Sequence, residues 1–202
     1  MCRIAMVAVF LAVSLNTLAQ ESSPKPTISD APLTTEQIAV YRAVLSEYTK
    51  GSATVLNLAN ITEPLDGSDV TCLIGFYIAV KKQTPPLIHR IGPALIVNMK
   101  IALVDPERQH QAVRDNDPDN LIRKATDDHQ KITDEQLDKS LKSAFDSGLF
   151  TLSEIAFDKD HHRAAVSYNF LCGRLCGNGH TLTLRKVANH WQVTRRCGGW
   201  IS

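Results

Sequence analysis

The sequence is poor in aromatic residues and carries almost no net charge. Aromatic side chains make up only 6% of the 202 residues, which disfavours a protein that stacks bases or sugars on its surface. The 22 basic and 21 acidic residues nearly cancel. There is therefore no electrostatic reason to expect nucleic acid or an anionic membrane as a partner.

The common catalytic and nucleotide-binding motifs are also missing. The sequence has no G-x-S-x-G, no H-E-x-x-H, no phosphate-binding loop and no dinucleotide fingerprint. Because a site can be assembled from residues far apart in the sequence, these absences lower the expectation of an enzyme without excluding one. We predict no catalytic residue and no cofactor, and we expect a protein or a small-molecule ligand as the partner.

One long apolar run is present, and it lies at the N-terminus. Arg3 precedes the apolar residues 4–15, and Thr17 and Ala19 then form a small-x-small cleavage pattern. The run is shorter than the roughly 20 residues that a membrane span needs. It predicts a signal peptide over residues 1–19, cut after Ala19, with an uncleaved anchor as the alternative. The protein is therefore expected to be secreted or periplasmic, with no later transmembrane segment.

The remainder is predicted to be a flexible tether followed by one domain. Residues 20–32 are rich in Ser, Pro and Thr, which is typical of a tether. Residues 33–202 are long enough for a single domain with a substantial core. Thr34 is a suitable cap for a helix that ends near Gly51, because apolar residues recur between them at the helical period.

The middle of the chain predicts two strands and then three helices. Residues 53–59 and 95–104 are expected to be strands, whereas residues 70–80 fit either a strand or a helix. An Asp-Pro pair at Asp105 and another at Asp117 each indicate a helix start. Thr133 caps a third helix, with Leu137, Leu141 and Phe145 on one side.

The last fifty residues predict an antiparallel meander. Short alternating segments occupy residues 155–157, 163–171, 181–187 and 191–197, with turns at 158–161 and 188–190. A hairpin at 188–190 would bring Cys197 back beside Thr181. The fold class is therefore α+β, with helices packed on an antiparallel sheet that ends in a disulfide-stapled three-stranded meander (residues 153–202).

Four of the five cysteines follow the predicted signal peptide. An even number in an exported chain, here Cys72, Cys172, Cys176 and Cys197, indicates disulfides. In the meander, Cys172 and Cys197 would lie two strands apart, roughly 9–10 Å, which is too far for a bond. The favoured pairing is Cys172–Cys176 with Cys72–Cys197, and the alternative is Cys176–Cys197 with Cys72–Cys172.

A zinc site is the competing interpretation of the same stretch. Cys172, Cys176, His180 and Cys197 supply the four ligands that structural zinc prefers. The glycines between them argue against a helix that would gather the ligands, and they suit a tight loop of positive φ angles instead. Oxidising surroundings also compete for the thiols, so no metal is predicted.

Two further groups of residues are candidates for chemistry. His161 and His162 lie close to Asp158 and Asp160, and these side chains are the candidate site of an envelope hydrolase that lacks a sequence motif. An exposed turn is the simpler interpretation. Asn60 begins a glycosylation sequon, which matters only in a eukaryotic source.

Residues 152–202 resemble the C-terminal part of a loose group of uncharacterised exported bacterial proteins. The shared features are the stretch CGRLCGNGH, which follows the pattern CGxLCGxG, and the final Trp200, Ile201 and Ser202. Residues 188–190 depart from the Asn-Gly turn that is commoner in the group. The resemblance implies a bacterial exported protein and no catalytic activity.

These observations favour a non-enzymatic binding or structural module outside the cytoplasm. The alternatives are the envelope hydrolase with a His/Asp site and a zinc-stabilised domain.

Overall fold

The computed structural model describes residues 25–65, Leu73, Phe76 and residues 86–202. The predicted signal peptide, the start of the tether, Cys72 and most of the ambiguous segment 70–80 lie outside the described residues. The helices are α1 (Thr35–Tyr48), α2 (Pro106–Asp115), α3 (Pro118–Asp127) and α4 (Asp134–Ser147), with a 3-10 turn at Pro93–Leu95. The strands are β1 (Thr27–Ser29), β2 (Leu56–Ala59), β3 (Leu87–His89), β4 (Ile101–Val104), β5 (Leu149–Leu152), β6 (Ala156–Phe157), β7 (Arg163–Gly173), β8 (Cys176–Val187) and β9 (His190–Ile201).

The helices begin at the predicted capping residues. The Thr34 hydroxyl accepts a hydrogen bond from the backbone N–H of Gln37, whose side chain accepts one from the backbone N–H of Thr34. Thr133 makes the same reciprocal capping box at α4. Asp105 and Asp117 cap α2 and α3, each with a proline in the first turn. These bonds satisfy backbone donors that a helix start leaves without partners.

The main sheet is mixed. Its order is β4-β2-β5-β7-β8-β9, with β6 paired to β7. The first three strands are parallel, and β5 and β7 to β9 pair antiparallel. The α+β class and the C-terminal meander are confirmed, but the expected antiparallel sheet accounts only for the C-terminal part. Helices α2 to α4 form the connection between β4 and β5, and this connection allows β5 to run in the same direction as β4.

The meander has the predicted register. Thr181 lies opposite Cys197, and the turns fall at the expected positions. However, β7 continues to Gly173 and β8 begins at Cys176, so the stretch predicted as a loop is mostly strand. Gly173 has a φ of 156°, whereas Gly177 and Gly179 are ordinary strand residues that leave space for a ring from β9.

Two other segments differ from their predictions. Residues 27–29 of the expected tether form β1, which pairs in parallel with β3. Backbone hydrogen bonds form this pairing, so the side-chain pattern of the sequence gives little indication of it. Residues 95–104 are not one strand, because Leu95 ends the 3-10 turn and Asn98 has a φ of 64°. A positive φ cannot continue a strand, and β4 starts only after it.

The principal core lies between α1 and one face of the sheet. Its fully buried members include Tyr41, Leu45, Leu58, Phe150, Leu152 and Leu184. Helix α4 is attached differently. Leu137, Leu141 and Phe145 share one side as predicted, but they are 36%, 37% and 54% exposed, and Ala144 is the residue that α4 buries. The apolar side of α4 is therefore only partly used in packing.

Tyr41 connects α1 to the far side of the core through its hydroxyl group. The hydroxyl is buried and donates a 2.9 Å hydrogen bond to the carbonyl oxygen of Ser153. Burial raises the pKa of Tyr41 well above its usual value, and the nearby carboxylate of Glu154 adds to the effect. The folded state therefore disfavours the phenolate, and this contribution to stability is lost when the pH rises above the unfolded pKa of about 10.

We expect Tyr41→Phe to lower the free energy of unfolding by about 1–2 kcal/mol at neutral pH, because the Ser153 carbonyl loses its donor. The variant should also lose less stability than the parent between about pH 9 and about pH 11. Some alkaline loss will remain, since burial also raises the pKa of Tyr48, to about 12. Urea unfolding at both pH values measures this, and identical curves for the two proteins would contradict it.

Candidate functional site

The two faces of the sheet differ in chemistry. On β7, Val166, Tyr168 and Phe170 belong to the core beneath α1, and the alternate residues Ser167 and Asn169 project to the opposite face. Thr151 of β5 and Thr181 of β8 make hydrogen bonds on that second face. The second face therefore carries a row of hydroxyl and amide groups at positions where a buried sheet would carry aliphatic ones.

Three of these residues, Ser167, Asn169 and Thr181, line a cleft of about 440 Å³. This volume is within the range of small-molecule sites. The residues that matter most to its chemistry are Glu63, Ser153, Ser167, Asn169, Thr181 and Trp200. They come from β7, β8, β9 and the segments that follow β2 and β5, so the cleft is assembled from distant parts of the chain.

Trp200 forms one wall of the cleft and is held by a specific contact. It lies opposite Gly179 in the β8–β9 pair, and its indole N–H donates a 3.1 Å hydrogen bond to Oδ1 of Asn169. A Cβ atom at Gly177 would lie only 2.9 Å from the ring atom Cη2, and one at Gly179 would overlap the indole nitrogen. The two glycines therefore let the indole lie directly on β8.

Glu63 continues the same row of hydrogen bonds. Its Oε2 accepts from the Thr151 hydroxyl at 3.0 Å and from the side-chain amide of Asn169 at 3.4 Å. Asn169 thus joins the Trp200 indole to the Glu63 carboxylate. The carboxylate is partly exposed and has its orientation set before any ligand arrives.

The hydroxyl groups of the cleft are engaged with each other. Ser167 and Thr181 share a hydrogen bond of 2.8 Å. The Ser153 oxygen accepts from the Ser167 backbone N–H and its hydroxyl donates to the Glu154 carbonyl, both at 2.8 Å. These bonds hold the strands together at the floor of the cleft.

A partly buried, hydrogen-bonded pair of side chains, His89 and Glu154, lies next to the cleft residues. Nδ1 of His89 is 2.9 Å and 3.0 Å from the two carboxylate oxygens of Glu154, and each side chain is only 12% exposed. Thr62 is buried, donates to the same carboxylate, and accepts from the His89 backbone N–H at 2.7 Å. Thr62 and Glu154 are the sequence neighbours of the cleft residues Glu63 and Ser153. The pair therefore fixes the two chain segments that carry them.

The structure contains the favoured short-range disulfide. Cys172 and Cys176 are bonded across the tip of the β7–β8 hairpin, with their Cα atoms 5.0 Å apart. Cys197 is also disulfide-bonded. Its predicted partner, Cys72, lies outside the described residues, so the Cys72–Cys197 pairing stays a prediction.

The zinc alternative does not match this arrangement. Cys172 is buried in the main core and Cys197 in a separate cluster with Leu73 and Phe76. His180 donates from Nδ1 to the Gly198 carbonyl at 2.9 Å. Cys172 and Cys176 have no thiolate to offer, because their sulfurs are bonded to each other. Within the part of the chain that the structure describes, no three His, Cys, Asp or Glu residues are placed to hold a metal ion.

The predicted His/Asp site is a turn that contacts α1. His161 is half-exposed, and its Nδ1 is 2.9 Å from Glu36, which also binds Lys186 at 2.8 Å. Hydrogen bonds from Lys186 and His161 lower the pKa of Glu36. Asp158 accepts from the backbone N–H groups of His162 and Arg163. These residues make an exposed turn, as the simpler interpretation of the sequence has it.

Two predictions remain, the glycosylation sequon at Asn60 and the expectation of no later transmembrane segment. The Asn60 backbone bonds to both Val104 and Ile91 at 2.8 Å, and glycosylation of its side chain stays a prediction. Among the described helices, none has the length and hydrophobicity of a membrane span.

The comparisons with known proteins add no family: no protein-family model, curated protein or solved structure matches the chain. The candidate site therefore depends on its own geometry. Sequence reasoning missed Glu63, Asn169 and Trp200. The available signal was the alternation along β7, where Ser167 and Asn169 interrupt an apolar strand on one face only.

Proposed function

We propose that the protein is exported and acts outside the cytoplasm as a non-enzymatic binding module, with the cleft on the second face of the sheet as its ligand site. The observation that carries the proposal is the hydrogen-bonded row of Trp200, Asn169 and Glu63 along an open cleft. An aromatic ring beside a few preset polar groups is the usual composition of a small-molecule site.

Export is supported by the sequence and by sulfur chemistry. Residues 1–19 have the pattern of a signal peptide, and the Cys172–Cys176 disulfide suits an oxidising compartment. The resemblance of residues 152–202 to exported bacterial proteins agrees with this assignment.

Binding is favoured over catalysis by the state of the cleft hydroxyls. Ser167, Thr181 and Ser153 are tied into bonds that join the strands, so a nucleophilic role would require breaking the floor of the site. The Glu63 carboxylate is likewise held by Thr151 and Asn169. Such a preorganised surface suits a protein that binds a ligand and releases it without chemical change.

Trp200 provides a direct test, because the other tryptophan, Trp191, is buried in the core. In the Trp191→Phe variant, the emission of Trp200 should change saturably with a cleft ligand taken from a panel of amines, sugars and amino acids. The matched Trp200→Phe variant should show no such change. Mass spectrometry of the incubated ligand should recover it unaltered. A panel without any saturable response would overturn the binding function, and conversion of the bound ligand would overturn its non-enzymatic character.

A further inference from the structure

We infer that the cleft recognises a cationic amine, with Glu63 contacting the ammonium group and Trp200 contacting its alkyl chain and charge. The inference deepens the proposed function and rests on it. Three properties of the described lining point to this chemistry: the free oxygen of the Glu63 carboxylate, the charge of the lining, and the position of the indole ring.

Among the described residues of the lining, the Glu63 carboxylate is the charged group that can accept further hydrogen bonds. The indole N–H of Trp200 is used by Asn169, and the Asn169 amide donates to Glu63. Ser167 and Thr181 share one bond. By contrast, Oε2 is the Glu63 oxygen that accepts bonds within the described residues, so Oε1 remains available. A ligand that is rich in donors completes such a site, and an ammonium group has three donors and no acceptor.

The charge of the lining has one sign. Among the described residues of the cleft, Glu63 carries a carboxylate and none is lysine or arginine. A hydrogen bond between a charged donor and a carboxylate is roughly twice as strong as one between neutral groups. An anionic ligand would instead meet repulsion without a compensating partner.

The indole ring lies along β8 at the wall of the cleft. A Cβ at Gly177 would meet the ring atoms Cη2 and Cζ3, and a Cβ at Gly179 would meet Nε1 and Cε2. The ring therefore rests along β8 over its whole length, and Trp200 is still 42% exposed. Tryptophan is the side chain that attracts a cation over its face most strongly. A ligand with an ammonium group and a short alkyl chain uses both Glu63 and this face.

The experiment measures the binding of 1,4-diaminobutane and its neutral isostere 1,4-butanediol to the full mature chain by calorimetry. Diaminobutane should bind at least about tenfold more tightly than the diol and than glucose. Its affinity should fall as salt is added, because ion pairing is screened. Nα-acetyl-lysine amide separates the two sources of an amine: binding as tight as diaminobutane indicates a lysine side chain of a protein, and weaker binding indicates a free amine.

Glu63→Gln should lower the affinity for diaminobutane by about tenfold or more while leaving the affinity for the diol unchanged. Glu107→Gln is the matched control, since Glu107 is an exposed residue at the start of α2. Equal binding of the diamine and the diol by the parent protein, or salt-independent binding, would overturn the inference even if the Glu63→Gln variant did not fold. A saturable sugar site without amine binding would also overturn it, yet would leave the binding function intact.

Discussion

His89→Ala is expected to lower the free energy of unfolding by about 1–3 kcal/mol, because it leaves the largely covered Glu154 carboxyl group without its His89 hydrogen-bond partner. The two side chains are each only 12% exposed and make two contacts of 2.9 Å and 3.0 Å. Thr62 alone would remain to satisfy the carboxylate. Removing one partner of a largely covered hydrogen bond costs more than the bond itself contributes, since the remaining polar group keeps its desolvation penalty.

Chemical unfolding of three proteins tests this expectation. His162→Ala is the matched control, because His162 is an exposed turn residue that contributes its backbone N–H to the Asp158 bond, and it should change stability by less than about 0.5 kcal/mol. The double variant His89→Ala with Glu154→Ala should be no less stable than His89→Ala, because the carboxyl group that would lack its partner is also removed. If His89→Ala were as stable as the parent protein, the expectation would be contradicted, because the Glu154 carboxyl group would not depend on His89 for its hydrogen bonding.

The second large effect is expected for Gly179→Ala, which should weaken ligand binding in the cleft by more than about tenfold. A Cβ at this position overlaps both Oδ1 of Asn169 and Nε1 of Trp200, so the bond between the two side chains cannot persist. The indole must leave β8, and Asn169 loses the partner that orients it toward Glu63. Overpacking of this kind also lowers stability, by about 1–3 kcal/mol.

Gly92→Ala is the control for this substitution. Gly92 has a φ of −97°, which alanine adopts readily, and a Cβ there meets no atom within 4 Å. It should bind ligand like the parent and unfold at the same urea concentration or slightly higher, since alanine restricts the unfolded chain. For both variants, calorimetry would measure the ligand affinity and fluorescence emission would report the environment of Trp200. Unchanged emission in Gly179→Ala would mean that the ring is not held against β8.

Features governed by neighbouring residues were predictable from the sequence. The four helix starts follow from Thr34, Asp105, Asp117 and Thr133, because a cap acts on N–H groups two or three residues away. The register of the meander follows from its short turns, and Thr181 indeed lies opposite Cys197.

Features that join distant segments were not predictable in the same way. The parallel pairing of β2 with β4 and β5, and of β1 with β3, depends on which backbones meet in space. Likewise, Asn169 joins Glu63 to Trp200 across distant parts of the chain. His161 and His162 stand together in the sequence, but the turn geometry directs His161 to Glu36 rather than to a common site. The glycines of β8 were assigned to a loop because sequence alone does not show the indole that lies on them.

The mixed sheet has a consequence for the order in which the chain can assemble. The β7–β8–β9 hairpins close over a few residues, so their loop-closure entropy is small and they can form as soon as this part of the chain is complete. The contact between Tyr41 and Ser153 instead spans 112 residues. Strand β5 sits between β2 and β7, and until it arrives both of those strands have an open edge. The N-terminal half must therefore wait for the C-terminal half before either edge is protected.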